Sequence, residues 1–238
     1  MTDRFIKYYE IGGVAFSVEA PYDYTEAPPY SLFSAGEREC ECRYVFRSVP
    51  SVPAPDDDYI FEDQYNRVYF DGDTIVRYIG FFNAGRVLDP PISVVRYGRE
   101  NCDEIEVLIP KDRDLPENAA FIYRSLCLEH LMTAKHAVMF HSSYIKTERG
   151  AILFTAPSGT GKSTQAELWR RYRGARVING DCSIIRRTKD GITVFGLPFS
   201  GTSGICINES APLGGAGAEP VLRLRHATAE RRGRPAVR

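Results

Sequence analysis

With 238 residues, 43% of them hydrophobic and 26% charged, the chain has an ordinary globular composition and the length for one large domain or two small ones. A net charge of -1 gives no electrostatic reason to expect nucleic acid or an anionic membrane as partner, and no apolar run reaches the length of a spanning helix. The opening MTDRFIKYYEIGG has no signal-peptide core. The six cysteines, Cys40, Cys42, Cys102, Cys127, Cys182 and Cys206, form neither a CxxC pair nor a metal-ligand spacing, so free thiols in a reducing cytoplasm are expected.

Eleven of the fourteen tyrosines fall in the first 100 residues, a bias toward pleated, half-buried surface. RFIKYYEIGGVAFSVEA predicts two strands around the turn Gly12-Gly13. ECRYVFRSV alternates, with Val45 facing opposite to Tyr44 and Phe46; RVYFDGDTIVRYIG places Asp71-Gly72 between two strands; PISVVRYG and EIEVLIP continue the pattern. The proline-rich acidic stretch VPSVPAPDDDY, residues 49–59, reads as a loop. The period then changes. Ala120, Tyr123, Leu126, Cys127, His130, Leu131 and Ala134 recur three or four apart and predict one helix over about 117–135.

AILFTAPSGTGKSTQAELW, residues 151–169, follows. AILF is a short continuous apolar run, as in a strand covered on both faces. After the loop, Ala166, Trp169 and Tyr172 share one side of a helix that Gly174 can end. Strand, glycine-bearing loop, Lys-Ser and helix are the parts of a phosphate-binding P-loop. Gly159 and Gly161 let the backbone curl its N–H groups toward phosphate oxygens, the helix start adds partial positive charge, Lys162 neutralises β- and γ-phosphates, and the Ser163 hydroxyl ligates Mg²⁺. Ala156 stands where the pattern begins with Gly, which is costly only if the backbone there needs positive φ. Downstream, ARVINGDCSII reads as a strand and an Asn179-Gly180 turn that brings Asp181 toward the γ-phosphate. An ordinary turn aspartate is the alternative.

FHSSYIKTERGAILFTAPSGTGKSTQAELWRRYRGARVINGDCSII resembles the catalytic domain of bacterial HPr kinase/phosphorylase and its relatives, which share a P-loop core with ATP-dependent phosphoenolpyruvate carboxykinases. The likeness spans roughly residues 137–215: a histidine-bearing strand, a hairpin into the P-loop strand, an acidic turn, and the hairpin CSIIRRTKDGITVFG around Asp190-Gly191. It implies an α+β or mixed α/β fold, in which a β-rich region leads into a P-loop nucleotide-binding domain incomplete at its C-terminus. It also implies that Ser158, Gly159, Thr160, Gly161, Lys162, Ser163 and Thr164 bind ATP, that Ser163 and Asp181 hold Mg²⁺, and that Lys162, Asp181 and His141 serve catalysis. Gly180 occupies the place of the family's first acid, so Asp181 inherits the role of either general base or metal ligand. His141 has a second reading as a core or strand-capping residue.

The N-terminal half looks more like the β-rich leader of HPr-kinase-like proteins of modified-peptide pathways, lasso-peptide kinases among them. The implied activity is ATP- and Mg²⁺-dependent transfer of the γ-phosphoryl group to a Ser or Thr hydroxyl of a peptide or protein, in the cytoplasm. A non-catalytic nucleotide-binding adaptor is the alternative. The resemblance leaves a homo-oligomer open and gives no place to nucleic acid or membrane. FGLPFSGTSGICIN, residues 195–208, reads as either a loop closing over the phosphates or acceptor, or a structural turn. The expected organisation is a β-rich domain over 1–115, the P-loop domain over 116–214 and an arginine-rich tail over 215–238. The tail has six arginines after position 220 and lacks apolar periodicity. It reads as a truncation, a shifted frame or a basic partner-binding arm, and it would leave the sheet edge beyond Asn208 open.

Overall fold

Gly12 and Gly13 both take positive φ, 63° and 70°, the left-handed backbone that a tight hairpin turn asks of its central residues. They join β1 (Phe5–Ile11) to β2 (Val14–Ala20) in antiparallel register from Phe5↔Ala20 to Ile11↔Val14. The structure, a computed structural model, describes residues 4–26, 28–55, 57–83, 86–111 and 119–214. The arginine-rich tail, and what was expected of its packing, lies outside the described residues.

Seven more strands complete the first sheet: β3 (Ser34–Ala35), β4 (Cys42–Val49), β5 (Phe61–Glu62), β6 (Asn66–Asp71), β7 (Thr74–Asn83), β8 (Arg86–Gly98) and β9 (Glu104–Pro110). Their order is β3-β1-β2-β4-β9-β8-β7-β6-β5. The pairs β2–β4 and β4–β9 are parallel, and all other pairs are antiparallel. Gly72, at φ 58°, makes the β6–β7 turn where Asp71-Gly72 places it. β4 departs from the expected alternation. Tyr44, Val45 and Phe46 are all buried, because β4 is an inner strand covered on both faces.

The helix expected over 117–135 is two short ones among the described residues, α1 (Ala119–Arg124) and α2 (Leu128–Ala134), with Cys127 left-handed at φ 46° between them. A continuous helix turns only one stripe toward a core. Here Ile122, Tyr123, Ser125, Leu126, Cys127 and Leu128 are all buried, and the break lets consecutive residues point inward. Two buried hydrogen bonds hold it: Tyr44 Oη donates to the Leu126 carbonyl at 2.7 Å, and the Ser93 and Ser125 hydroxyls meet at 2.8 Å.

His130 on α2 packs its ring on Tyr97, centroids 3.8 Å apart. Burial pushes its pKa down, as does Arg77 more weakly, against the opposing pull of Glu129 and of a backbone hydrogen bond to Gly98. A folded pKa below the unfolded value of about 6.5 gives stability that is complete above that pH and lost as pH falls toward the folded value. The urea midpoint is therefore expected to drop between about pH 7 and pH 5, and His130→Phe to flatten that part of the profile.

Beyond α2 come β10 (Ala137–His141), β11 (Ser143–Thr147), β12 (Gly150–Phe154), α3 (Lys162–Arg173), β13 (Arg176–Asn179), β14 (Cys182–Thr188), β15 (Gly191–Phe195) and β16 (Ser210–Pro212). They form a four-stranded sheet, β10-β14-β15-β16, and a three-stranded sheet, β12-β11-β13, both antiparallel throughout. The expected mixed α/β nucleotide-binding domain is thereby corrected: the chain is mainly β, and the strand before the glycine loop sits in an antiparallel layer. Adjacent parallel strands need crossovers of a dozen or more residues. The links β10–β11, β11–β12 and β14–β15 are short turns, and among the connections from β10 to β16 only β12–β13 carries an α-helix. Beyond Asn208 the described chain adds one short strand, β16, which is itself the outermost strand of the four-stranded sheet. β16 pairs with β15 from Thr193↔Pro212 to Phe195↔Ser210, and Leu213 bridges Ala151.

One buried cluster runs from Tyr9, Phe16 and Tyr44 through Leu131 and Met132 to Ile184 and Leu197. The β1–β2 turn seals it against the β14–β15 hairpin, where Arg186 Nη1 donates to the Gly13 carbonyl at 2.6 Å. No helix among the described residues is long and apolar enough to cross a membrane.

Candidate functional site

Ile152 and Phe154 of β12 face Ala166 and Trp169 of α3, while Leu153 packs on the opposite side with Tyr144 and Ile178. Both faces of the short apolar run are thus used, and α3 is clamped over the sheet. β12 and β13 each run antiparallel to β11, so they are parallel to one another and their carboxyl ends share one edge. That edge carries the glycine loop on one side and the Asn179-Gly180-Asp181 turn on the other. The two sequence features meet without a parallel sheet.

In the loop, Gly159 and Gly161 hold φ at 78° and 94°, a region where L side chains are strained. Ala156 has no positive φ, so its methyl group costs nothing there. Gln165 N bonds the Gly161 carbonyl at 2.9 Å. The amides of Lys162, Ser163 and Thr164 are therefore left over at the helix start, as at any helix N-terminus. The first turn of α3 has no acid and its last has Arg170, Arg171 and Arg173, so nothing on the helix cancels its positive end. Ser158, Gly159, Thr160, Ser163 and Thr164 are exposed. The Lys162 ammonium lies across the loop, donating to the Ala156 carbonyl at 2.9 Å and to that of Pro157 at 3.4 Å.

Opposite the loop, the buried Asn179 side chain organises the turn. Its Oδ1 accepts from the amides of Asp181 (2.9 Å) and Cys182 (3.0 Å), and its Nδ2 donates to the carbonyls of Leu197 (3.0 Å) and Phe199 (2.7 Å). Sequence reasoning gave Asn179 only a turn. An Asn-Gly-Asp at a strand end is, however, the signature of a side chain that bonds backbone two residues on, and that signal was present.

His141 ends β10 opposite Cys182, and its Nδ1 stands 3.6 Å from the Asp181 carboxylate. The Thr155 hydroxyl donates to the His141 carbonyl at 3.2 Å, and Ser163 makes a long 3.4 Å contact to the Gly180 carbonyl. Loop, helix start, acid and histidine are thus linked through neighbouring backbone. The segment 195–208 closes the far side. A Cβ on Gly201 would lie 2.6 Å from the Asp181 carboxyl carbon, and one on Gly180 would lie 2.1 Å from Ser203 Oγ. The glycine loop and Asp181 therefore share one edge of the three-stranded sheet, and His141 reaches Asp181 from the end of β10 in the neighbouring sheet.

The crowding at Gly180 has a measurable consequence. Gly180→Ala is expected to cost about 1–3 kcal/mol of stability, as overpacking does, and to speed proteolysis within 200–205 as Ser203 is pushed outward. Adding Ser203→Gly should recover most of the loss.

An anion suits the free amides and Lys162, and a small hard cation suits the Ser163 hydroxyl and the Asp181 carboxylate, since Mg²⁺ is often held by one or two carboxylates plus substrate phosphates. Among the described residues no group of three or more His, Cys, Asp or Glu could hold a metal, so protein ligation there would be sparse. Compared with family models, curated proteins and solved structures, the chain has no match.

Proposed function

We propose that the protein is an ATP- and Mg²⁺-dependent kinase that transfers the γ-phosphoryl group to a Ser or Thr hydroxyl of a peptide or protein. One observation carries the reading: the left-handed glycine loop and free start of α3, with Lys162 and Ser163, stand against Asp181 and His141 across Gly180. Phosphoryl transfer needs mainly positioning and charge neutralisation, which these groups are suited to supply. The amides from Ser158 to Thr164 would bind the phosphates, and Lys162 would leave the Ala156 carbonyl to neutralise them. Ser163 would hold Mg²⁺, with Asp181 as its second ligand where that carboxylate does not serve as the base; when bound, the ion neutralises charge on the β- and γ-phosphates. Asp181, oriented by Asn179 and faced by His141, would orient the acceptor hydroxyl or take its proton.

The reading rests on the site and needs no parallel sheet. The resemblance to HPr-kinase-like serine kinases supports the hydroxyl acceptor, and the use of ATP supports a cytoplasmic location. The protein is to be incubated with Mg²⁺ and γ-labelled ATP in the presence of serine- and threonine-bearing peptides. Label in peptide is expected, and ATP binding without any transfer contradicts the kinase.

That contrary outcome would fit a second reading, a nucleotide-binding adaptor. Its supporting observation is at Gly180, where Ser203 leaves no room for a second acid. A site with one acid suits retention of nucleotide without turnover.

A further inference from the structure

The 3-10 turn Gly201–Ser203 is held at the site from both ends. Upstream, Asn179 Nδ2 binds the Leu197 and Phe199 carbonyls; downstream, Cys206 bridges Asn179 and Ile207 N donates to the Ile178 carbonyl at 3.0 Å. Gly201 and Gly204, at φ 51° and 66°, bend the chain on either side of Ser203. Gly201 approaches the Asp181 carboxyl so closely that a Cβ would overlap it. The exposed Ser203 hydroxyl overhangs Gly180, whose carbonyl Ser163 contacts. A hydroxyl is thus tethered close to the acid and to the first turn of α3. Its present bonds, to the Ser200 carbonyl at 2.7 Å and from Ile205 N at 3.2 Å, are local bonds of an exposed turn that water can replace.

We propose that Ser203 is a phosphoacceptor in cis, an inference that rests on the kinase reading. Its oxygen forms a bond to the γ-phosphorus, the bond from that phosphorus to the β-phosphate oxygen breaks, ADP leaves, and the hydroxyl proton passes to the Asp181 carboxylate. Tethering gives this hydroxyl a far higher effective concentration than a free peptide has. Once transferred, the phosphate sits beside the Asp181 carboxylate, and like-charge repulsion pushes the turn away from the site.

The test uses the full chain with Mg²⁺ and γ-labelled ATP, locating phosphate by mass spectrometry of peptide fragments; chain as purified from cells is mapped in the same way. The expected result is phosphate on Ser203, at a rate per molecule that does not depend on protein concentration. Ser203→Ala should lose it while keeping peptide phosphorylation and calorimetric nucleotide affinity, and Ser203→Thr should keep it. A Lys162→Ala chain mixed with active protein should stay unlabelled at Ser203. Peptide phosphorylation with no phosphate on Ser203, or labelling of the Lys162→Ala chain in trans, overturns the inference and leaves the kinase reading standing. No transfer to either peptide or chain overturns the kinase reading, and the inference with it.

Discussion

Lys162→Ala is expected to weaken MgATP binding by roughly 10- to 100-fold, because hydrogen bonds to a charged group are worth about 1.5–3 kcal/mol and each 1.4 kcal/mol is tenfold. Phosphoryl transfer should fall further, by roughly 10²–10³ in kcat, since removal of a group that stabilises developing charge acts most strongly on the transition state. Folding stability should stay within about 0.5 kcal/mol of the parent, because in the free protein the ammonium bonds only backbone carbonyls of a largely exposed loop. A calorimetric titration together with a thermal melt separates these effects. Equal affinity in parent and variant would show that the loop does not hold phosphate.

Asp181→Asn keeps the shape of the side chain and removes its charge and its capacity to take a proton. The backbone amide of residue 181 still binds Asn179, so the turn should persist. Loss of a positioned general base costs roughly 10²–10⁴ in rate. The expected variant therefore binds nucleotide and turns it over very slowly. Magnesium dependence distinguishes the two roles open to Asp181. If it acts as base, the Mg²⁺ requirement for binding is unchanged in the variant; if it ligates the metal, nucleotide affinity loses much of its dependence on Mg²⁺. Turnover at the parent rate would remove Asp181 from the chemistry altogether.

Local chemistry made much of this architecture legible. Gly12-Gly13, Asp71-Gly72 and Asp190-Gly191 each mark a hairpin turn through residues that tolerate positive φ, and all three turns form. The strand, loop and helix from Gly150 to Arg173 follow from an apolar run, two glycines and the stop at Gly174. Long-range pairing was not legible. β4 lies between β2 and β9, and Arg43 meets Glu104 across 61 residues of chain, a pairing no local pattern encodes. The run AILF reads alike in a parallel and an antiparallel sheet covered on both faces, so nothing in it opposes the mixed α/β fold that the resemblance implies. The break between α1 and α2 leaves no local signal, because the apolar residues on either side keep a helical spacing, while burial of Ser125 through Leu128 in the tertiary core overrides it. β16, three residues ending in proline, is too short to show a period. At the site, the loop residues and Asp181 could be read as chemistry, whereas the bracing role of Asn179 and the approach of Ser203 to Gly180 depend on how 195–208 folds back.

The central claim is that the loop at the start of α3 holds the phosphates of a nucleoside triphosphate. Backbone amide resonances of the full, isotopically labelled chain, followed during titration with MgATP, test it residue by residue. The account predicts saturable shifts concentrated at Ser158, Gly159, Thr160, Gly161, Lys162, Ser163 and Thr164, with smaller ones at Gly180 and Asp181. The contradicting result is a titration that leaves those amides unmoved, or one whose shifts fall instead around the separate groove, of about 430 Å³, lined by Tyr69, Tyr78, Val94 and Arg96 on the nine-stranded sheet.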